Sequence, residues 1–118
     1  MTSLVEQLTI WVTNNSQTLC GSGFQIIQKI PLPGSDLAWK ASIGLIHDEI
    51  LVSYTVWDKS ILRTELIVMN ALTEETIVME DKSASDPNAV HFDLDGVVRK
   101  LKDSSYKNMK PDPKLIIT

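Results

Sequence analysis

Two aspartates one residue apart form the most suggestive chemical pattern in this 118-residue sequence. Asp93 and Asp95 stand in the string Phe92-Asp93-Leu94-Asp95-Gly96-Val97. A carboxylate can act as a nucleophile, and a second, protonated carboxyl group can donate a proton to the leaving group. The spacing therefore raises the possibility of covalent catalysis.

This string resembles the opening motif of the haloacid-dehalogenase-like phosphatases, in which the first Asp is the nucleophile and the second the general acid. In that family the motif ends a buried apolar strand, and a long following chain supplies a Ser or Thr, a Lys and metal-binding acids. Here the preceding residues 86–91 are polar, and only 22 residues follow Gly96. We therefore interpret Asp93 as the N-cap of a helix and Asp95 as a favourable charge in its first turn.

The other reactive side chains form no recognisable constellation. His47 and His91 lie in predicted loops, and neither has a His or Cys neighbour at metal-ligand spacing. The single cysteine, Cys20, excludes an internal disulfide and has no Cys-x-x-Cys partner. Asp93 and Asp95 also lack the spacing of a calcium loop. The sequence thus predicts no catalytic residue, no metal site and no cofactor.

Charge is distributed unevenly along the chain. Residues 1–98 hold 13 acidic and 5 basic side chains, whereas residues 99–118 hold 2 acidic and 6 basic ones. Nucleic acids and anionic membranes require a basic face, so both are disfavoured as partners, whereas a basic protein is compatible. We find neither an apolar run long enough for a membrane span nor a signal-peptide pattern, and we expect a cytoplasmic protein.

Hydrophobic periodicity predicts an α+β domain. Apolar residues at helical spacing, with Ser3 and Glu6 at capping-box spacing, predict an N-terminal helix over about 4–18. A second helix is predicted over about 94–103. Alternating segments between them predict four to five strands, at 24–30, 37–45, 50–57, 61–70 and 76–80.

Short polar connections between these strands favour an antiparallel meander, with both helices packed on the same sheet. Residues 81–91 are predicted to be a polar loop. The single domain is expected to cover residues 1–104. Residues 105–118 are expected to form an extended or flexible tail, with 115–117 as a possible short strand.

Three tryptophans stand out in this composition. Trp11 lies on the apolar stripe of the first helix and is expected in the core. Trp39 is expected on the inward face of its strand. Trp57 lies on the opposite row of its strand and is the candidate interface residue, because tryptophan is enriched at binding hot spots.

The arrangement resembles the TriTu group of bacterial immunity proteins, which are cytoplasmic antidotes to polymorphic toxins. The resemblance rests on a helix bearing Trp11, a strand ending in residues 53–58 and a hairpin carrying residues 65–69 and 77–80, followed by a polar loop and a closing helix. It implies stoichiometric binding and neutralisation of a toxin, and no catalytic residue.

We therefore predict a non-catalytic protein-binding module, with a basic toxin domain as a candidate partner. Acidic residues concentrate in segment 74–95 and would favour such a partner. The predicted partner-binding residues are Trp57, Asp58, Glu74, Glu75, Glu80 and Asp81.

Two alternatives remain open at this stage, as does the oligomeric state. One is an acidic secretion chaperone, which would need an apolar dimer or effector groove. The other is a ligand-binding or enzymatic domain of cystatin-like or nuclear-transport-factor-like type, with a pocket between helix and sheet.

Overall fold

The computed structural model describes residues 3–30, 39–59, 62–84 and 86–109. Two helices flank five consecutive strands, which confirms the predicted α+β class. The elements are α1 (Leu4–Cys20), β1 (Gln25–Lys29), β2 (Lys40–His47), β3 (Ile50–Trp57), β4 (Arg63–Asn70), β5 (Thr76–Ser83) and α2 (Ala89–Lys102).

The strands form one antiparallel sheet in the order β1-β2-β3-β4-β5, which is the predicted meander. Side chains alternate between its two faces because a strand has a period of two residues. We call the face that packs against the helices the inner face. Its buried residues include Ala41, Ile43, Leu45, Val52, Tyr54, Val56, Thr64 and Val68.

Helix α1 begins where the sequence predicts and extends to Cys20, two residues further than expected. The Ser3 side chain accepts a hydrogen bond from the backbone nitrogen of Glu6 at 3.0 Å, so Ser3 is the N-cap. Helical periodicity places one stripe of α1 in the core. The buried residues of that helix are Leu4, Gln7, Leu8, Trp11, Val12 and Leu19.

Helix α2 begins at Ala89, five residues before the predicted start, so the expectation that Asp93 is its N-cap is wrong. The N-cap position is Asn88, which makes no side-chain cap hydrogen bond. Val90 is completely buried and adds a turn to the apolar stripe that continues through Leu94 and Val97. Burial of this extra turn explains the early start, and it places both aspartates inside the helix.

Strand β5 continues to Ser83, three residues beyond its predicted end, because β4 pairs with it over its whole length. The connection between β5 and α2 is therefore shorter than the predicted loop 81–91. At the other side of the sheet, Trp39 precedes β2 and is half-buried. The predicted strand positions 37, 38 and 61 lie outside the described residues.

Residues 105–109, predicted as the start of an extended tail, fold with the preceding residues into a run of turns. Tyr106 is 2% exposed and belongs to the hydrophobic core. Its aromatic ring supplies enough apolar surface to hold the chain against the domain after α2 ends. Residues 110–118, with the possible strand at 115–117, lie outside the described residues.

Candidate partner-binding surface

The face of the sheet opposite the helices, here called the outer face, carries two adjacent rows of mostly apolar residues, here called the apolar rows. Within the part of the chain that the structure describes, neither helix lies over it. Cross-strand register defines the rows, which run Ile27, Gly44, Ser53, Ile67, Met79 and Gln25, Ile46, Leu51, Met69, Thr76 from β1 to β5. Ile27 and Met79, at the two edges, are 44% and 53% exposed.

A cluster of Trp57, Arg63 and Asp81 lies at one end of the outer face. Trp57 pairs with Arg63 across β3 and β4, and the guanidinium carbon lies 4.6 Å from the indole centroid. Arg63 donates from Nε and Nη2 to the two carboxylate oxygens of Asp81, each at 2.9 Å. On the other side of Trp57, the Lys40 ammonium lies 5.6 Å from the ring. The ring is therefore half-buried between two cations, and its stacking stabilises this arrangement.

A charged row lies between this cluster and the apolar rows. From β1 to β5 it contains Lys29, Ser42, Thr55, Glu65 and Asp81. The basic residue stands at the β1 edge and the two acidic residues at the β5 side. The outer face thus has opposite charges at its opposite edges.

The predicted partner-binding residues do not share one surface. Trp57 and Asp81 meet in the cluster, whereas Glu80 projects from the inner face of β5 into a groove beside α2. Glu74 and Glu75 occupy the β4–β5 connection, which follows Asn70 at the far end of β4 from Arg63.

Asp58 is also separated from the cluster by its contacts. Its two carboxylate oxygens accept hydrogen bonds from the backbone nitrogens of Leu4 and Val5, both at 2.8 Å. The side chain therefore binds the N-terminus of α1, where unpaired backbone N–H groups and the helix dipole favour a carboxylate.

Sequence reasoning missed Arg63 and the apolar rows. The signal was available in the alternation of β4, where Arg63, Glu65, Ile67 and Met69 occupy every second position. Only the pairing register, however, shows that these residues join Ile46 and Leu51 in one continuous surface.

A groove of about 470 Å³ separates α2 from the inner face near β5. It combines apolar residues with charges of both signs. Its lining includes Leu66, Val78, Glu80, Lys82, Phe92, Asp93, Asp95, Gly96, Val97, Arg99, Lys100, Tyr106 and Met109.

The two aspartates of the phosphatase-like string make structural contacts in this region. Asp93 accepts a hydrogen bond from the Tyr54 hydroxyl at 2.8 Å and pairs with Lys82 at 3.2 Å. Burial, followed by the neighbouring Asp93, raises the pKa of Tyr54 well above its usual value. Asp95 accepts a hydrogen bond from the Trp11 indole nitrogen at 2.9 Å and so links α2 to α1.

No group of three His, Cys, Asp or Glu side chains among the described residues is arranged to hold a metal ion. The helices in the described ranges are also too short or too polar to cross a membrane. No known protein family, curated protein or solved structure matches this chain.

Proposed function

We propose that this protein is a non-catalytic protein-binding module, an immunity-type inhibitor that neutralises a cognate toxin by occlusion. The observation that carries the proposal is the outer face, with its two apolar rows and, beyond the charged row, the cluster of Trp57, Arg63 and Asp81. We further propose that it acts in the cytoplasm.

The composition of the outer face supports protein binding. Contiguous apolar patches on soluble domains mark interaction sites, and interfaces are enriched in Trp, Met and Arg. The cluster places a tryptophan and an arginine on the same face as two apolar rows that include Met69 and Met79. Trp57 is held by its neighbours, so burying it under a partner costs little conformational entropy.

Charge supports a basic partner. The chain has a net charge of −4, and residues 1–98 account for the acidic excess. Glu65 and Asp81 bring part of that excess onto the outer face, and the exposed Glu74 and Glu75 add to it at the sheet end. An acidic surface accelerates and orients the approach of a cationic toxin.

The proposal can be tested by affinity capture from lysate with the wild type and a Trp57→Ala/Ile67→Lys variant, after circular dichroism has established that both are folded. Phe92→Ala is the matched control, because Phe92 is 82% exposed and lies on α2, on the other side of the sheet. We expect the outer-face variant to lose a stoichiometric partner that wild type and control retain. Co-expression should then suppress the toxicity of that partner in cells.

Equal capture by all three proteins would contradict binding through the outer face. Loss of partner capture in Phe92→Ala alone would indicate that the partner binds α2 and not the outer face. A partner captured only as an unfolded effector would favour the secretion chaperone over the immunity-type inhibitor.

The groove beside α2 supports a second candidate, the binding of a small ligand. Its volume of about 470 Å³ lies within the range of ligand pockets, and polar groups from Glu80, Asp93 and Arg99 face it. A thermal-shift screen of small metabolites would test this candidate. Gly96 lines the groove, and a β-carbon there meets no atom within 4 Å, so a leucine side chain would fit and would fill part of the groove. A ligand-induced increase in melting temperature that disappears in Gly96→Leu would therefore support this candidate.

A further inference from the structure

We infer that the outer face binds a second copy of this chain, around a two-fold axis parallel to β3. The inference rests on the proposed role of the outer face as a protein-binding surface. It names the occupant of that face in the free protein, and it is argued from the register of the two apolar rows, the charged row and the row that contains Trp57.

The symmetry operation determines which strands oppose each other. A two-fold axis parallel to β3 and lying between the two sheets places β3 over β3, β2 over β4 and β1 over β5 of the partner subunit. It preserves position along the strand, so each row lies over the same row of the other copy. Such an interface is isologous, because the same patch serves both subunits.

The apolar rows are self-complementary under this operation. Ile27 opposes Met79 of the partner subunit, and Ile46 opposes Met69 of the partner subunit. Leu51 lies near the axis and opposes the same residue. Ser53 opposes itself, and Gln25 opposes Thr76 of the partner subunit at the edge of the second row. At the other positions apolar surface covers apolar surface, as it does between packed sheets in β-sandwiches.

The charged row supplies the strongest argument. Lys29 at the β1 edge opposes Asp81 of the partner subunit at the β5 edge, and symmetry repeats this contact. Glu65 opposes Ser42 of the partner subunit, whose hydroxyl can donate to it, and the neutral Thr55 opposes itself. The row is basic at the β1 edge and acidic at the β5 edge. The two-fold axis reverses the order of the strands in the second copy, so the basic end of one row faces the acidic end of the other.

The last row contains Lys40, Trp57, Arg63 and Ser83, from β2 to β5. It places Lys40 opposite Arg63 of the partner subunit. Arg63 donates two hydrogen bonds of 2.9 Å to Asp81 in its own chain, so this carboxylate is shared between Arg63 and Lys29 of the partner subunit and offsets part of each positive charge. The two Trp57 rings, in the middle of that row, lie next to the axis and can contact each other.

A two-fold axis perpendicular to the strands fits less well. Such an axis, placed at the centre of the sheet, reverses the order of the rows in the second copy. The row of Thr55 and Glu65 in one copy would then cover the row of Ser53 and Ile67 in the other. Charges would then lose water against apolar side chains without gaining partners, which is unfavourable.

The size of the face predicts a weak dimer. Strand spacing and length give a face roughly 20 Å by 25 Å, or about 500 Å² for each copy. That is at the lower end for specific protein interfaces, so dimer and monomer should exchange within an accessible concentration range. Toxin binding and self-association would compete for the outer face, and a toxin would therefore bind the monomer.

Sedimentation equilibrium over a range of concentrations tests the inference. We expect the wild-type mass to rise towards that of a dimer, Ile67→Lys to remain monomeric, and Phe92→Lys to behave like wild type. Lys29→Glu, a milder change at an exposed position, should weaken the dimer at least tenfold. Circular dichroism establishes that each variant is folded.

Cross-linking tests the direction of the axis. Lys29→Cys/Asp81→Cys in a Cys20→Ser background should form a covalent dimer with a short bis-maleimide. Within one chain the two positions lie at opposite sheet edges, four strand spacings or about 19 Å apart. Lys29→Cys alone should not cross-link, whereas efficient cross-linking of that single variant would place β1 against β1 and overturn the proposed axis.

A wild type that stays monomeric at all concentrations would overturn the dimer while leaving the proposed function intact, since partner capture is a separate readout. A dimer that survives Ile67→Lys and is lost in Phe92→Lys would overturn the use of the outer face for self-association.

Discussion

Asp58 accepts a hydrogen bond from the backbone nitrogen of Leu4 across 54 positions of sequence, at 2.8 Å. Its second carboxylate oxygen accepts from Val5 at the same distance. The residue that follows β3 thus satisfies two N–H groups that the first turn of α1 leaves without helical partners. This contact fixes the start of the helix against one end of the sheet.

Replacing Asp58 with Ala should lower the free energy of unfolding by about 1–2 kcal/mol, because two helix N–H groups lose their acceptor. Asp58→Asn retains one side-chain oxygen and should lose less. Urea unfolding followed by circular dichroism measures both. Asp81→Ala is the matched control on the exposed surface, and an equal loss there would contradict a specific role for Asp58.

A second prediction concerns Tyr54, whose hydroxyl donates to Asp93 beneath α2 at 2.8 Å. Tyr54→Phe removes this donor and leaves a largely buried carboxylate with one partner fewer, so we expect a loss of about 1–3 kcal/mol in the free energy of unfolding. Asp93→Asn tests the same contact from the other side. Additive effects in the double variant would contradict a direct coupling between these residues.

The sequence predicted those parts of the fold that rest on local periodicity. Strand β3 was predicted over 50–57 and is observed at Ile50–Trp57, because its alternation is bounded by polar turns on both sides. The start of α2 was predicted wrongly because the prediction relied on local pattern alone. Asp93 matches a capping pattern locally, but the burial of Val90 against the core extends the helix by more than a turn.

The candidate site was less accessible to sequence reasoning, because register and not local pattern brings its residues together. Arg63 and Asp81 are 18 positions apart and meet only through the pairing of β4 with β5. The acidic segment 74–95 was treated as one patch. In the fold, the acidic residues of this segment lie in the β4–β5 turn, on both faces of β5 and within the span of α2.

A third prediction concerns alkaline pH. Burial and the nearby Glu80 raise the pKa of Tyr106 to about 12, from 10.0. The folded state therefore holds the phenol proton more tightly than the unfolded chain does, so this contribution to stability is present below pH 10 and is lost as pH rises towards 12. We expect wild type to lose more stability over that interval than Tyr106→Phe, as measured by urea unfolding. Equal losses of stability in the two proteins would contradict a raised pKa of Tyr106.

The burial of Tyr106 leads to a fourth prediction, about the segment after α2. Tyr106→Ala should cost about 3–5 kcal/mol, the range for truncating a buried aromatic side chain. Met109, three residues later, is 45% exposed, and Met109→Ala should change stability much less. Thermal unfolding of the two variants compares them directly. Equal and small effects would show that the chain after α2 contributes little to the core.

The final prediction concerns the cluster on the outer face. The Arg63 and Asp81 side chains are 46% and 47% exposed, so solvent screens their ion pair despite its two hydrogen bonds. A double-mutant cycle with Arg63→Ala and Asp81→Ala should give a coupling of about 0.2–1 kcal/mol in unfolding free energy. Removing Arg63 should also expose the Trp57 ring, and acrylamide should then quench that fluorescence more strongly, with Trp57→Phe identifying the signal. A coupling well above this range would mean that the Arg63–Asp81 pair mainly stabilises the sheet. Unchanged quenching would mean that Arg63 does not fix the position of the Trp57 ring.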